Sequence, residues 1–321
     1  MSREFSFSHQ PVLVQPVLDL MNILADGLYV DCTLGGGGHA AELLSRLSNR
    51  GRLIAIDRDE DAMRAGSKRL ASVESPAAWQ VVHGNFADLA QIMTQLGIDG
   101  ADGILADFGV SSWQFDQAGR GFGYRQEGPL DMRMDRDSGQ TAADVVNTYG
   151  EKELTRIFRQ YGEERHAEQI ARAIVNRRDD APFATTTDLA EVVRRAMPSK
   201  SRQEDQHPAR RVFQAIRIEV NQELDAIEQL LAVAPRWLRP GGRLCIITFH
   251  SLEDRLVKEA FRKLEKPCTC PRNFPVCVCG QVAQGQVITR KAITADENER
   301  QENPRSRSAK LRCFEKNRLT A

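Results

Sequence analysis

A short apolar run, Leu28-Tyr-Val-Asp-Cys32, leads within a few residues into four consecutive glycines, Gly35–Gly38. A strand that ends in such a loop can bring bare backbone close to a ligand, because glycine alone tolerates the positive φ angles a tight loop often needs. Helix-like sequence follows from His39 to Leu47. The pattern then repeats: strand Arg52–Asp57, helix Glu60–Leu70, strand Trp79–His83, strand Gly103–Asp107 and, much later, strand Gly242–Phe249. Strands separated by helical patterns pair in parallel through right-handed crossovers. The expected fold is therefore α/β, a doubly wound Rossmann-like sheet.

The long gap between the fourth and fifth strands reads as helix. Glu151–Arg178 carries Leu154, Ile157, Phe158 and Tyr161 at helical spacing, and Thr187–Met197 opens on a Thr/Asp cap before Leu189, Val192 and Val193. Pro208–Leu231 repeats the pattern with Val212, Ile216, Val220, Leu224, Ile227 and Leu231. Residues 116–207 are thus expected to form an inserted helical lobe for substrate recognition, and residues 1–115 with 208–321 the sheet core, the last long helix returning the chain to the sheet. Beyond the fifth strand come a cysteine-rich stretch at 268–279, strand-like Gln286–Arg290, a polar stretch Asp296–Ser308 read as loop, and Ala309–Phe314, which alternates like a final strand.

The N-terminus lacks the apolar core of a signal peptide, and no apolar run reaches membrane-spanning length, so a cytoplasmic protein with reduced cysteines is expected. Lysine plus arginine and aspartate plus glutamate both number 44, so overall charge does not select nucleic acid. Local charge is more informative. Residues 194–217 hold Arg194, Arg195, Lys200, Arg202, Arg210, Arg211 and Arg217 against Glu204 and Asp205, and 300–318 is similarly basic around Arg305 and Arg307. Arg210, Arg211, Arg305 and Arg307 are candidate phosphate contacts; a solvated face is the competing reading.

In doubly wound folds ligands bind at the carboxyl ends of the strands. Asp57 ends the second strand, where a carboxylate can accept hydrogen bonds from both ribose hydroxyls of a nucleoside. Phe86 follows the third strand and can flank an adenine, and Asp107 ends the fourth. The glycines alone also satisfy a dinucleotide fingerprint, so an NAD enzyme is a rival; an ATP loop is not, because no Lys-Ser/Thr follows them. Taken singly, Asp57 suits a capping role and Phe86 a core role. The argument rests on candidates at successive strand ends.

These residues resemble the ribosomal RNA small-subunit methyltransferase H family, formerly called MraW. The resemblance runs over nearly the whole chain: His9-x-Pro-Val-Leu13, the glycine loop, Ala55-Ile-Asp-Arg-Asp59, Asp107-Phe-Gly-Val-Ser-Ser112, Gly128-Pro-Leu-Asp-Met-Arg-Met134, Tyr161-Gly-Glu-Glu-Arg165, Phe213-Gln-Ala-Ile-Arg217, Ile247-Thr-Phe-His-Ser-Leu-Glu-Asp-Arg255 and Asn303-Pro-Arg-Ser-Arg307. It implies a class I methyltransferase sheet and transfer of a methyl group from S-adenosyl-L-methionine to N4 of one decoding-centre cytosine in 16S rRNA, with the small ribosomal subunit as partner and neither DNA nor membrane. By motif position it implies cofactor contacts at Gly37, Gly38, His39, Asp57, Phe86, Asp107 and Gln114. Phe108 stands where leucine is usual, and the loop is all glycine where one member often varies; neither departure alters the chemistry.

The cytosine amine is a poor nucleophile because its lone pair is conjugated with the ring, so an acceptor for an N4 proton would help. Asp107 is the first candidate, with Ser111 and His250 as others; a structural hydrogen-bonding role competes for His250. Asp131 is open between an RNA contact and an ion pair within the lobe. Cytosine C5 methylation would need a cysteine nucleophile in the pocket, and neither Asp107–Ser112 nor Thr248–Ser251 contains one. Cys268, Cys270, Cys277 and Cys279 place four thiols in twelve residues, a candidate structural zinc site competing with plain reduced thiols. A non-catalytic ribosome-assembly protein on a relict cofactor fold is the alternative from another class.

Overall fold

The computed structural model describes residues 11–198, 207–271, 276 and 278–318, apart from the side chain of Ser112. His9, Lys200, Arg202, Glu204, Asp205, Pro275 and Cys277, singled out above, lie outside the described residues. In chain order the elements are α1 (Val14–Met21), β1 (Leu28–Asp31), α2 (Gly38–Leu44), β2 (Arg52–Asp57), α3 (Glu60–Ala71), β3 (Ala78–His83), α4 (Leu89–Gln95), β4 (Ala101–Asp107), α5 (Ser112–Asp116) and α6 (Ala142–Thr148). They continue with α7 (Glu151–Gln160), α8 (Ala167–Arg178), α9 (Thr186–Ala196), α10 (Arg210–Asn221), α11 (Glu223–Trp237), β5 (Leu238–Thr248), α12 (Ser251–Glu265), β6 (Gly285–Val287), α13 (Glu297–Glu302) and β7 (Lys310–Lys316).

The seven strands form one sheet in the order β3-β2-β1-β4-β5-β7-β6. Strands β1 to β5 are parallel, and β7 runs antiparallel to β5 and β6. Chain order reverses between β1 and β4, so the switch point of this doubly wound Rossmann-like sheet lies at their carboxyl ends. Alternation along the strands makes two cores. Tyr29, Leu53, Leu105, Ile247 and Leu311 pack against Val17 of α1 and Leu43 of α2 on one face. Val30, Ile54, Ile104, Ile246 and Phe314 meet Met93 of α4, Leu230 of α11 and Phe261 of α12 on the other. Both faces being covered explains the near-continuous apolar runs of β2 and β4.

The chain divides into two compact units, Met1–Gly109 with Leu224–Ala321, and Val110–Glu223. The second unit has its own core, including Val145, Ile157, Phe158, Ile170, Leu189, Phe213 and Ile216 from α6 to α10.

Two long helices expected from periodicity are each broken in two. Between α7 and α8, a Cβ on Gly162 would lie 2.7 Å from the carbonyl oxygens of Arg211 and Phe158, and Glu163 takes a φ of +48°. Between α10 and α11, Gln222 turns left-handed at φ 49°. The apolar repeat runs on through both breaks, so it does not reveal them. Consequently α10 packs within the helical unit, against α6 and α7, and α11 alone belongs to the sheet. The stretch Asp296–Ser308 is not a loop: Asp296 accepts a hydrogen bond from Glu299 N to cap α13, and a 3-10 turn, Pro304–Ser308, follows.

Candidate active site

The glycine loop is tied down from three sides. Leu34 N donates to Ile56 O at 2.9 Å, Gly37 N to Leu34 O at 2.7 Å, and Gly35 N to the Asp57 carboxylate at 2.8 Å. Gly37, at φ 73°, starts α2. Gly38 is needed for another reason: a Cβ there would lie 2.8 Å from the Pro11 ring. The loop thus turns sharply and lets the N-terminal segment pack over it.

Three aspartates gather around this loop. Asp57 at the end of β2 accepts from Gly35 N with Oδ2 and from Asp59 N, 2.9 Å, with Oδ1. It is therefore first a brace for the loop, and only the remaining lone pairs are open to ribose hydroxyls. Burial raises its pKa, and the two backbone donors oppose the rise. Asp31, 1% exposed, accepts from Thr33 N with Oδ1, while its buried Oδ2 has no hydrogen-bond partner among the described residues. Burial pushes its pKa up to about 7.

Asp107 at the end of β4 is the third. Its backbone N donates to Thr33 Oγ1 at 2.6 Å, which fastens β4 to the β1 loop. Its side chain keeps 21% of its surface open, yet Oδ1 is buried without a hydrogen-bond partner among the described residues. His39 Nε2, in the first turn of α2, stands 3.9 Å from Oδ2. Burial pushes the Asp107 pKa well above the usual carboxylate range, and the nearby charges of Asp31 and Glu253 add to the effect. Phe86, in a 3-10 turn capped by Asn85, lies half-buried with its ring centroid 5.3 Å from that of Phe108. The phenylalanine that departs from the usual leucine therefore gives Phe86 an aromatic neighbour.

His250 follows β5 and caps α12, and Glu253 is the residue that sequence reasoning missed. It is fully buried; its Oε2 accepts from Phe249 N at 2.7 Å and from His250 N at 3.2 Å, and its Oε1 lies 3.1 Å from His250 Nε2. The sequence signal is weak: a capping box is read from Ser or Thr at the cap with Glu three positions on, and here His250 takes the capping place. His250 is held by its own helix start.

Gly37, Gly38, His39, Asp57, Phe86, Asp107 and His250 all belong to the sheet unit. Ser111 and Gln114 fall in the helical unit, where they cap α5 reciprocally: Gln114 N donates to Ser111 Oγ at 3.2 Å, and Ser111 N to Gln114 Oε1 at 2.9 Å. Asp131 takes the ion-pair reading, with Arg133 Nε at 2.8 Å. Of the basic clusters, Arg194 and Arg195 pair with Glu191, and Arg217 pairs with Glu223 at 2.7 Å. Arg312 is buried on Asp254, and Lys316 donates to the carbonyls of Arg236 and Leu238. Arg210, Arg211, Arg305 and Arg307 remain exposed, Arg211 at 3.9 Å from Glu164.

Comparison with known proteins places this geometry. A family model described as the MraW methylase family matches residues 6–317. "Ribosomal RNA small subunit methyltransferase H" of Carboxydothermus hydrogenoformans is 53% identical over 310 residues, covering 97% of this chain and 98% of that protein. The protein of the same name from Symbiobacterium thermophilum is 51% identical over 311 residues, covering 97% of each. Among solved structures, a putative rRNA-methylase from Clostridium thermocellum aligns over 96% of this chain and 99% of its own, at 12% identity and a TM-score of 0.44. With a family model spanning almost every residue and relatives identical at half their positions over full length, the chain belongs to the MraW methylase family.

Proposed function

We propose that the chain transfers a methyl group from S-adenosylmethionine to the N4 amine of a cytosine in 16S rRNA, the decoding-centre base indicated by the family resemblance. One observation carries the reading. Asp31 Oδ2 and Asp107 Oδ1 are buried beside the glycine loop without a hydrogen-bond partner among the described residues. A buried carboxylate is costly unless a cation or donor reaches it. S-adenosylmethionine brings a sulfonium and an ammonium, whereas the pyrophosphate of NAD would bring anions toward the same carboxylates. That contrast disfavours the dinucleotide reading left open by the glycines.

When bound, the cofactor supplies an electrophilic methyl group on its sulfonium. The protein's work is then positioning. Gly37 and Gly38 shape the loop, by a left-handed turn and by admitting the Pro11 ring, Asp57 offers its remaining lone pairs to a ribose, and Phe86 flanks a base. Asp107, once ionised, accepts the proton that the cytosine amine must lose and localises its lone pair. His250, fixed by Glu253, braces the same strand ends. Methylation at C5 would require an accessible thiolate. Cys32 and Cys245 are both buried, and burial raises the Cys32 pKa beyond the range of a useful nucleophile. The target base must leave its stack; exposed Arg210 and Arg211 on the helical unit, and Arg305 and Arg307 on the sheet unit, are each suited to hold phosphates. The names of the relatives support ribosomal RNA of the small subunit as the substrate. No helix among the described residues is long and apolar enough to cross a membrane.

The test is methylation of small subunits at several stages of maturation, with mass mapping of the product. A methyl group on cytosine N4 is the expected result. A methyl on C5, or a covalent adduct with 5-fluorocytosine RNA, would overturn the chemistry. Failure to bind S-adenosylmethionine at all would favour a non-catalytic assembly protein.

A further inference from the structure

The protein has two populations of cysteine. Cys32, Cys245 and Cys313 are buried in the sheet unit, with Cys245 and Cys313 as register partners on β5 and β7. They behave as small apolar side chains. Cys268, Cys270 and Cys279 belong instead to the connection between α12 and β6, and are exposed or half-exposed.

Its base is closed by Gln284 N donating to Leu264 O at 2.9 Å and Val287 N donating to Glu265 Oε1 at 3.0 Å. Among its described residues, Val276, Val278 and Val282 are 69%, 73% and 78% exposed and add nothing to a core. Yet the sulfur atoms of Cys268, Cys270 and Cys279 all lie within 4.8 Å of one another, although Cys279 is nine residues from Cys270. A disulfide would draw two sulfurs together and leave the third outside. Three sulfurs around one point is the arrangement a shared ion requires. Tetrahedral zinc, with zinc–sulfur bonds of about 2.3 Å, holds its ligands roughly 3.8 Å apart, so a contraction of about an ångström completes the site. Two backbone features agree. Val278 N donates to Cys270 Sγ at 3.4 Å, a bond that stabilises a thiolate. Gly280, directly after Cys279, turns at φ +65° and lets the chain double back behind the sulfur.

We propose that Cys268, Cys270 and Cys279 ligate a structural zinc ion that folds the connection between α12 and β6. The site is separate from the carboxylates that serve methyl transfer, so this proposal stands or falls independently of that reaction. The sequence supplies a further thiol, Cys277, outside the described residues. Each thiol gives up its proton to solvent on coordination, and no electron transfer is involved. Soft thiolates select zinc over magnesium or calcium.

The experiment uses the full chain, expressed without a tag in zinc-supplemented medium and purified anaerobically without chelator. Elemental analysis should find close to one zinc per chain, released by a thiol-specific mercurial. Paired substitution C268S/C270S should lower zinc at least tenfold and open the connection to protease, with S-adenosylmethionine binding retained. Because degradation of the variant at the loop would also lower its zinc, the parent chain is reconstituted with cobalt as well. Intense visible bands and thiolate-to-cobalt charge transfer are expected. Zinc well below one per chain, a disulfide mapped among these cysteines in the anaerobic protein, or a cobalt spectrum lacking thiolate charge transfer would each overturn the proposal.

Discussion

Asp107 and Asp254 sit near the carboxyl ends of neighbouring strands, β4 and β5, and their surroundings are opposite. Asp254, in the first turn of α12, receives Arg312 Nε at 2.7 Å and Nη2 at 3.2 Å, and Lys310 Nζ at 3.5 Å. Burial pushes its pKa up, but these cations outweigh burial and hold it below the usual range. Asp107 has burial without such cations, and its pKa is driven high. The first carboxylate is spent within the protein and fastens α12 to β7. The second has no such cation, and the proposed function assigns it to a ligand that arrives from outside. On that proposal, buried charge without an internal counter-charge separates a working aspartate from a structural one.

Substitution of each should split activity from stability. Asp107→Asn should lower single-turnover methylation of small subunits by about 10²–10⁴-fold, the scale of a lost general base. Its melting temperature should stay level or rise, since a desolvated carboxyl has been removed. Asp254→Asn should do the reverse: a loss of about 3 kcal/mol in urea unfolding, because Arg312 is left buried and unmatched, with methylation per folded molecule within a few-fold of the parent. If Asp107→Asn keeps near-parental turnover, or Asp254→Asn abolishes it without unfolding the chain, the contrast drawn between them fails.

A pH experiment sharpens the same comparison. Asp31 has a folded-state pKa of about 7, against about 3.9 for an unfolded aspartate. The native state therefore keeps a proton that the unfolded chain releases. Stability from this group is greatest at low pH and declines as pH rises from about 4 through about 7. A bound cation pulls the other way, by favouring the ionised carboxylates. Binding of S-adenosylmethionine should then release protons below pH 7, and affinity should climb with pH by up to about tenfold per unit. S-adenosylhomocysteine, with a neutral thioether, should show a shallower rise. Calorimetry in buffers of different ionisation enthalpy counts the protons directly. Equal counts for the two ligands would break the link between these carboxylates and the sulfonium.

What could be read from residues alone followed from how local each signal is. Strands β1 to β5 were legible because apolar runs meet turn residues at both ends. The glycine loop and Asp57 were legible because a strand end fixes where a ligand must lie. The breaks at Gly162–Glu163 and at Gln222 were not, because the apolar face continues across them and only backbone conformation records the turn. The polar stretch at 296–308 lacks an apolar stripe, so a short capped helix there left no periodic trace. Glu253 was hidden by its type: a lone glutamate in a helix reads as solvated, and its burial depends on the hydrogen bonds of residues before it. Charge clusters were the least reliable guide. Arg217, Lys310, Arg312 and Lys316 look available in sequence, yet each is engaged inside the protein.

That sorting of arginines gives the smallest expected effect. Arg305 and Arg307 are exposed on the 3-10 turn that precedes β7, whereas Arg312 is buried on Asp254. If the exposed pair contacts phosphates, each contact contributes about 0.7–0.9 to the slope of log affinity against log salt. Arg305→Glu with Arg307→Glu should weaken subunit binding several-fold and flatten that slope by roughly 1.5, while S-adenosylmethionine affinity stays unchanged. Arg50→Glu is the matched control. Arg50 is also exposed, but it sits just before β2, at the amino end of the strand and away from the end where Asp57 lies. Its reversal should leave the slope intact. A slope that drops equally for both variants would mean diffuse attraction between RNA and any surface charge, and Arg305 and Arg307 would lose their claim to direct contact.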